Sequence, residues 1–368
     1  MNVPFLDFRA HVASVRAEIE AAVGRVLDAG WFVLGPEGEA LEKELAEALG
    51  ARDCVATGNG TEAIQLALEA LGVGPGDEVV TSPLSAAFTA LAVLRAGARP
   101  VFADLDPATL NVAPEAVEKA LTPRTRALLP VHLYGHPADL DPLLEIARRR
   151  GIPLVEDACQ AHGARYRERP VGALSGIGAL SFYPTKNLGA LGDGGAVLVN
   201  DPAVAARLRR LRNGGQTDRY RHEEAGINSR LDEIQAAILR AFLRHLPAWT
   251  ERRRALAAIY RRELRGDGVA LPVEQPWARA VYHLFVVRHP RRDALAAALR
   301  DRGIGTLVHY PIPLHLQPAF RALGGRPGDF PVAEQAAAEV LSLPLYPELT
   351  DEQALAVAAA VRELAAPA

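Results

Sequence analysis

Between about residue 50 and residue 200 the chain alternates short apolar runs with longer stretches of helical periodicity. Glu78–Thr81, Pro100–Ala103, Ala127–Val131 and Pro153–Glu156 are runs of strand length, bounded by polar or turn-forming residues. Thr61–Leu71, Ala86–Ala96, Pro114–Leu121 and Leu140–Arg150 carry helical patterns between them. Gly72 and Gly74, Gly97 and Gly151 supply the stops for three of these helices. Strand and helix in alternation predict a mostly parallel sheet covered by helices on both faces. Ser181-Phe182-Tyr183 closes another strand, and Gly195–Asn200 reads as one more, with a turn-rich link between them.

From Ala203 the texture changes. Residues 203–213 are basic and helical, and Gly214-Gly215 opens a polar loop that lasts to Gly226. Leu231, Ile234, Ile238 and Phe242 then form one stripe of an amphipathic helix. Asn228 and Ser229 suit its N-cap, and Asp232 its first turn. Pro247 interrupts that pattern. An Arg-rich helix (251–265), a strand at Tyr282–Val287, a helix at 293–302, a Pro-rich loop at 309–318 and an Ala-rich helix at 351–365 follow. The expected division is a large domain over 1–245, N-terminal segment included, and a smaller α+β domain over 246–368.

Composition narrows the partners more than the fold. The 368 residues are 49% hydrophobic and 23% charged, with a net charge of −3, which is ordinary for a soluble globular protein. That balance recommends neither nucleic acid nor an anionic membrane. The two cysteines, Cys54 and Cys159, read as small buried hydrophobes in a reducing cytoplasm. No apolar stretch approaches spanning length, and Met1–Arg9 lacks the basic and apolar segments of a leader, so a cytoplasmic location is expected.

Lys186 stands out chemically. It follows an apolar strand and Pro184, and glycines crowd in after it, from Gly189 to Gly195. A sheltered ammonium loses its proton more easily and becomes a nucleophile suited to a Schiff base. Upstream, the apolar strand at Val155-Glu156-Asp157 ends in a carboxylate. A strand-end carboxylate lies where ligands of such sheets sit, and can hold a pyridinium nitrogen. Together these are the two anchors of pyridoxal phosphate chemistry. Ala56–Glu62 opens a helix with glycines, where free N–H groups attract a phosphate; taken alone it reads first as an ordinary turn before a helix. Gly189–Gly195 superficially looks like a dinucleotide loop, but it precedes a strand instead of opening a helix. Singly, Asp157, Gln160, His162, Lys186, His309 and Tyr310 all have bland readings as turn, loop or surface residues; their joint order gives them weight.

The chain resembles the sugar aminotransferases of the DegT/DnrJ/EryC1/StrS group, within fold-type I of the pyridoxal phosphate enzymes. The likeness runs from Pro4–Asp7 through Asp28–Gly35 and the segments around Asp157, Lys186 and Gly226–Ala236 to His309–His315. It implies that Lys186 carries the cofactor and shuttles a proton, and that Asp157 pairs with the ring nitrogen. It further implies that Gln160 lies against the ring or near its phenolic oxygen. Gly60, Thr61 and Ser181 would hold the phosphate, with Asn228 arriving from the second subunit of a homodimer with shared sites. Many relatives stack an aromatic residue on the ring. Here alanine falls at that place within Pro83–Thr89, and Phe88 is the residue that could compensate. His309, Tyr310, Trp31, Tyr220 and His222 are candidates for substrate contacts.

The implied reaction moves an amino group from L-glutamate, or glutamine, to a nucleotide-linked keto-sugar. The Lys186 loop looks most like the branch that aminates C3 of dTDP-3-keto-6-deoxyhexoses. A C4 or cyclitol aminotransferase is the alternative. A dehydratase of the same fold has histidine in place of the lysine, so Lys186 speaks against it. A non-catalytic cofactor-binding or regulatory protein of the same fold is the reading from another class.

Overall fold

The computed structural model describes residues 2–266 and 268–365. Seven strands build the central sheet: β1 (Asp53–Thr57), β2 (Glu78–Thr81), β3 (Arg99–Phe102), β4 (Thr125–Leu129), β5 (Glu156–Asp157), β6 (Ile177–Ser181) and β7 (Gly195–Val199). Isolated parallel bridges, Leu128 to Leu154 and Val131 to Asp157, join β5 to β4 and complete the order β1-β7-β6-β5-β4-β2-β3. Only β7 runs against its neighbours; it pairs antiparallel with both β1 and β6. The sheet is therefore mixed and mostly parallel, as the alternation predicts.

Side chains of a strand alternate between faces, and the two apolar layers divide accordingly. Cys54, Ala56, Leu180, Ala196 and Leu198 enter one core, shared with helices α1 (Phe8–Ala29), α2 (Pro36–Ala48), α5 (Pro114–Ala120), α6 (Leu140–Arg150) and α8 (Glu233–Leu243). Val55, Ile177, Ala179, Val197 and Val199 enter the other, shared with α3 (Gly60–Ala70), α4 (Ala87–Arg95) and α7 (Pro202–Leu211). Burial on both faces is why these strands read as continuous apolar runs instead of alternating ones.

A further core gathers α9 (Leu246–Glu263), α10 (Arg292–Asp301), α11 (Asp351–Ala365) and the antiparallel strands Phe285–Arg288 and Val340–Leu343. Val3 packs there as well, through a parallel bridge to Ile304.

Two expectations need correction. The amphipathic helix α8 begins at Glu233 with Asp232 as its N-cap, and Asn228 and Ser229 lie outside it. The cause is competition for the chain: Asn228 bridges Asn213, Asp232 bridges Val33, and the Ser229 hydroxyl accepts the Gly58 N–H at 3.0 Å. Residues 228–232 are drawn out as an extended connector. The helix after Pro247 starts at Leu246, not 251, because proline in a first turn lacks only an N–H that would have no partner there. Strand β1 and helices α1 and α2, which the periodicity did not mark, complete the large layers.

Candidate active site

The ends of β5 and β6 and the start of α3 converge. Asp157, 3% exposed, closes β5. Its Oδ2 accepts the Thr89 hydroxyl at 2.8 Å and its Oδ1 accepts the Cys159 N–H at 3.2 Å. Thr89 in turn shares a hydrogen bond of 3.0 Å with the Ser85 hydroxyl. The carboxylate is thus fixed by donors from α4 and from its own loop.

Lys186 lies in the loop after β6, and the loop is pinned at several points. The Lys186 N–H donates to the Tyr183 carbonyl at 2.8 Å, Asn187 Nδ2 to the Val281 carbonyl at 3.0 Å, and the Leu191 N–H to Gln235 Oε1 at 2.9 Å. Gly189 is required by contact: a Cβ there would stand 2.4 Å from the Pro184 carbonyl oxygen. Burial lowers the Lys186 pKa, and the nearby charge of Asp157 opposes that fall. A fraction of neutral amine, the nucleophilic form, is thereby favoured.

The imidazoles and the thiol around this pair stay uncharged. Burial, reinforced by Lys186, holds His162 at about 3 and His309 at about 4, and pushes His283 well below the usual imidazole range. Burial also pushes the Cys159 thiol well up, so it remains protonated beside Asp157. Both ring nitrogens of His162 and Nδ1 of His283 are buried without a protein partner.

An anion cradle adjoins these groups. Asn59 caps α3 by accepting the Glu62 N–H at 2.9 Å, while the N–H groups of Gly60 and Thr61 have no acceptor among the described contacts. A Cβ on Gly60 would meet Ser181 Cβ at 2.6 Å, Cys159 Sγ at 3.1 Å and Ser181 Oγ at 3.1 Å. Two free amides and a hydroxyl at a helix start suit a phosphate, and only glycine leaves that approach open. Amine, carboxylate and anion cradle are the donor set that pyridoxal phosphate requires, and the residues present fit it.

Gln160 and the segment His309-Tyr310 close another side. Gln160 Nε2 donates to the Tyr310 hydroxyl at 3.0 Å, and His309 Nδ1 lies 2.8 Å from Ser342 Oγ. Burial, with the Lys186 charge, lowers the His309 pKa, and burial, with the Asp157 charge, raises that of Tyr310, so both lie within reach of the Asp157–Lys186 pair. The structure therefore brings together Gly60, Thr61, Asp157, Gln160, Ser181, Lys186, His309 and Tyr310.

The other sequence-derived candidates lie on the surface of the chain. Trp31 is 57% exposed and donates its indole N–H to the Val33 carbonyl. Tyr220 is 80% exposed, and His222 binds the Gly214 carbonyl within the same hairpin. Phe88, in the first turn of α4, is 61% exposed. Asn228 is exposed on the connector before α8. Sequence reasoning missed Thr89: it drew attention to Pro83–Thr89 for an aromatic ring, and the hydroxyl next to Phe88 is what touches Asp157.

Known proteins resemble this chain over nearly its whole length. A dTDP-3-amino-3,4,6-trideoxy-alpha-D-glucose transaminase of Streptomyces venezuelae is 53% identical over 365 residues, covering 99% of this chain and 96% of that protein. The erythromycin biosynthesis sensory transduction protein EryC1 of Saccharopolyspora erythraea is 53% identical over 355 residues, covering 96% and 97%. The crystal structure of S. venezuelae DesV, solved in complex with a ketimine intermediate, superposes with a TM-score of 0.98 at 53% identity, over 100% of this chain and 99% of that one. Aminotransferases of this group depend on pyridoxal phosphate, and solved neighbours include pyridoxamine phosphate forms. The family's sequence profile matches residues 13–362, and the chain belongs to the DegT/DnrJ/EryC1/StrS aminotransferase family.

Proposed function

We propose that the chain transfers an amino group from L-glutamate to C3 of a dTDP-linked 3-keto-6-deoxyhexose. The observation that carries this reading is the 53% identity, over nearly the whole of both chains, to a transaminase that makes a 3-amino sugar nucleotide. The site supports it.

Pyridoxal phosphate, when bound, supplies an electron-accepting ring that holds the amino group between donor and acceptor. The residues do the rest. Gly60 and Thr61 N–H groups and the Ser181 hydroxyl bind the phosphate. Asp157, its oxygens held by Thr89 and Cys159, stabilises a proton on the ring nitrogen. Lys186 Nζ anchors the cofactor and then takes and returns a proton at the substrate carbon. The neutral imidazoles of His162, His283 and His309 keep further positive charge away from that amine.

The same reading has the chain act in the cytoplasm as a homodimer with shared sites, with Asn228 reaching the partner's phosphate. Trp31, Phe32 and Val33, all exposed, support a surface for that partner. No described helix is long and apolar enough to cross a membrane. The core built mostly by residues after 245, which Val3 also joins, supports a division near 245. A purely regulatory role, which the name of one relative suggests, gives no use to a lysine of lowered pKa beside a fixed carboxylate.

The test is a pair of half-reactions on the holoenzyme. L-glutamate should convert the bound cofactor to its amine form, and a dTDP-3-keto-6-deoxyhexose should restore it and emerge with nitrogen on C3. Restoration by 4-keto sugars alone would overturn the regiochemistry, and inertness toward glutamate would overturn the donor.

A further inference from the structure

Tyr134 ties together three segments that border the site. It follows β4, sits at φ 58° in the left-handed region that side chains seldom adopt, and is 8% exposed. Its N–H donates to Gln160 Oε1 at 2.8 Å. Its carbonyl accepts the Leu284 N–H at 3.4 Å. Its hydroxyl donates to the His309 carbonyl.

These contacts form a closed circuit. Because Tyr134 N–H takes the oxygen end of the Gln160 amide, the nitrogen end is left to donate to the Tyr310 hydroxyl. The Tyr134 side chain meanwhile holds the residue just before Tyr310. One residue thus fixes Tyr310 twice, through Gln160 and through the His309 carbonyl. The Tyr310 oxygen is an acceptor in this circuit, and its own O–H proton has no acceptor among the described contacts. That proton is free for a ligand standing between Tyr310 and the Asp157–Lys186 pair.

We propose that Tyr134 is a positioning residue: its hydroxyl sets the His309-Tyr310 unit so that the Tyr310 O–H is presented to the keto-sugar. This rests on the sugar aminotransferase reading above. The loop has other moorings, His309 to Ser342 and the Leu314 N–H to the Pro83 carbonyl at 2.7 Å, so losing one hydroxyl loosens it locally without unfolding it.

Tyr134→Phe isolates the point, since it keeps the ring and the backbone N–H to Gln160. In the holoenzyme it should raise KM for the keto-sugar about tenfold, with kcat changed by less than about twofold. Cofactor affinity and absorbance should not move. Tyr310→Phe should cause a similar rise, and the double variant should be no worse than the poorer single one. An unchanged KM, or losses that multiply, would overturn the proposal. A crystal structure of Tyr134→Phe gives a second reading that needs no substrate. The Gln160 Nε2 to Tyr310 contact should open beyond hydrogen-bond distance, and its retention at 3.0 Å would refute the positioning role. Should the unaltered enzyme aminate no keto-sugar, the functional reading fails, while that distance still judges what Tyr134 does.

Discussion

In the proposed site Lys186 and Asp157 would work as a pair, each within reach of the other's charge. Asp157 illustrates the constraint. Both its oxygens accept from donors, Thr89 Oγ1 and the Cys159 N–H, so an amide in its place turns an NH2 group toward one of them. Asp157→Asn should therefore lower kcat by about a hundredfold or more, with cofactor still bound, as absorbance and single-turnover rates would show. The buried histidines make a prediction about pH. His162 is neutral in the fold down to about 3 and His309 to about 4, whereas both take up protons near 6.5 when unfolded. Between those limits the unfolded chain binds more protons, so stability is full above about 6.5 and declines as pH falls, by up to about 1.4 kcal/mol per unit per group. His162→Leu should flatten the denaturation profile between pH 6.5 and 4.5, above most carboxylate titration. An unchanged slope there would assign the loss to other groups. Lys186 and Asp157 were legible because Asp157 closes its own strand and Lys186 follows its strand within a few residues. Thr89 and Tyr134 were not, because their partners lie 68 and 175 residues away, and no local pattern encodes such a contact.

At the scale of elements the same contrast holds. The helices starting at Gly60 and Leu140 announce themselves by periodicity and by glycine stops. Helix α2 has Gly35 at its N-cap, which offers no side-chain acceptor. Its free N–H groups are met from 198 residues away: Glu233 Oε1 accepts from Gly35 at 2.9 Å and Gly38 at 2.9 Å, and Oε2 from Glu37 at 2.8 Å. Glu233 is 1% exposed and opens α8, so one residue caps the start of α2 and begins another helix. The demand for it explains why α8 starts at Glu233 and the connector before it is extended. Glu233→Ala should destabilise the fold by about 2–3 kcal/mol through buried N–H groups left unpaired, read as a fall in the denaturant midpoint. Glu233→Gln should recover part of this, since one amide oxygen still accepts. Equal losses in both variants would show that charge at the helix start, and not hydrogen bonding, is what matters.

For the whole molecule the open question is what covers its apolar surface. Trp31, Phe32 and Val33 are 57%, 48% and 39% exposed in succession, directly before the helix that Glu233 caps. Phe88 and Tyr183, at 61% and 53%, lie on the same helix as Thr89 and the same loop as Lys186. Large aromatic side chains seldom remain in water without a partner surface. A second copy of the chain would supply one, and a twofold axis would make each residue count twice. Trp31→Asp combined with Phe32→Asp would place four charges in such an interface, two from each subunit. Removing that much apolar burial should raise the dimer dissociation constant by more than about a thousandfold. Light scattering should then give the monomer mass at micromolar concentration. If Asn228 completes the phosphate site from across the axis, cofactor should be lost together with the dimer, and Asn228→Ala should weaken cofactor binding with the dimer intact. A monomer that kept its cofactor at full affinity would instead mean that Gly60, Thr61 and Ser181 suffice within one chain, and the shared site would have to be abandoned.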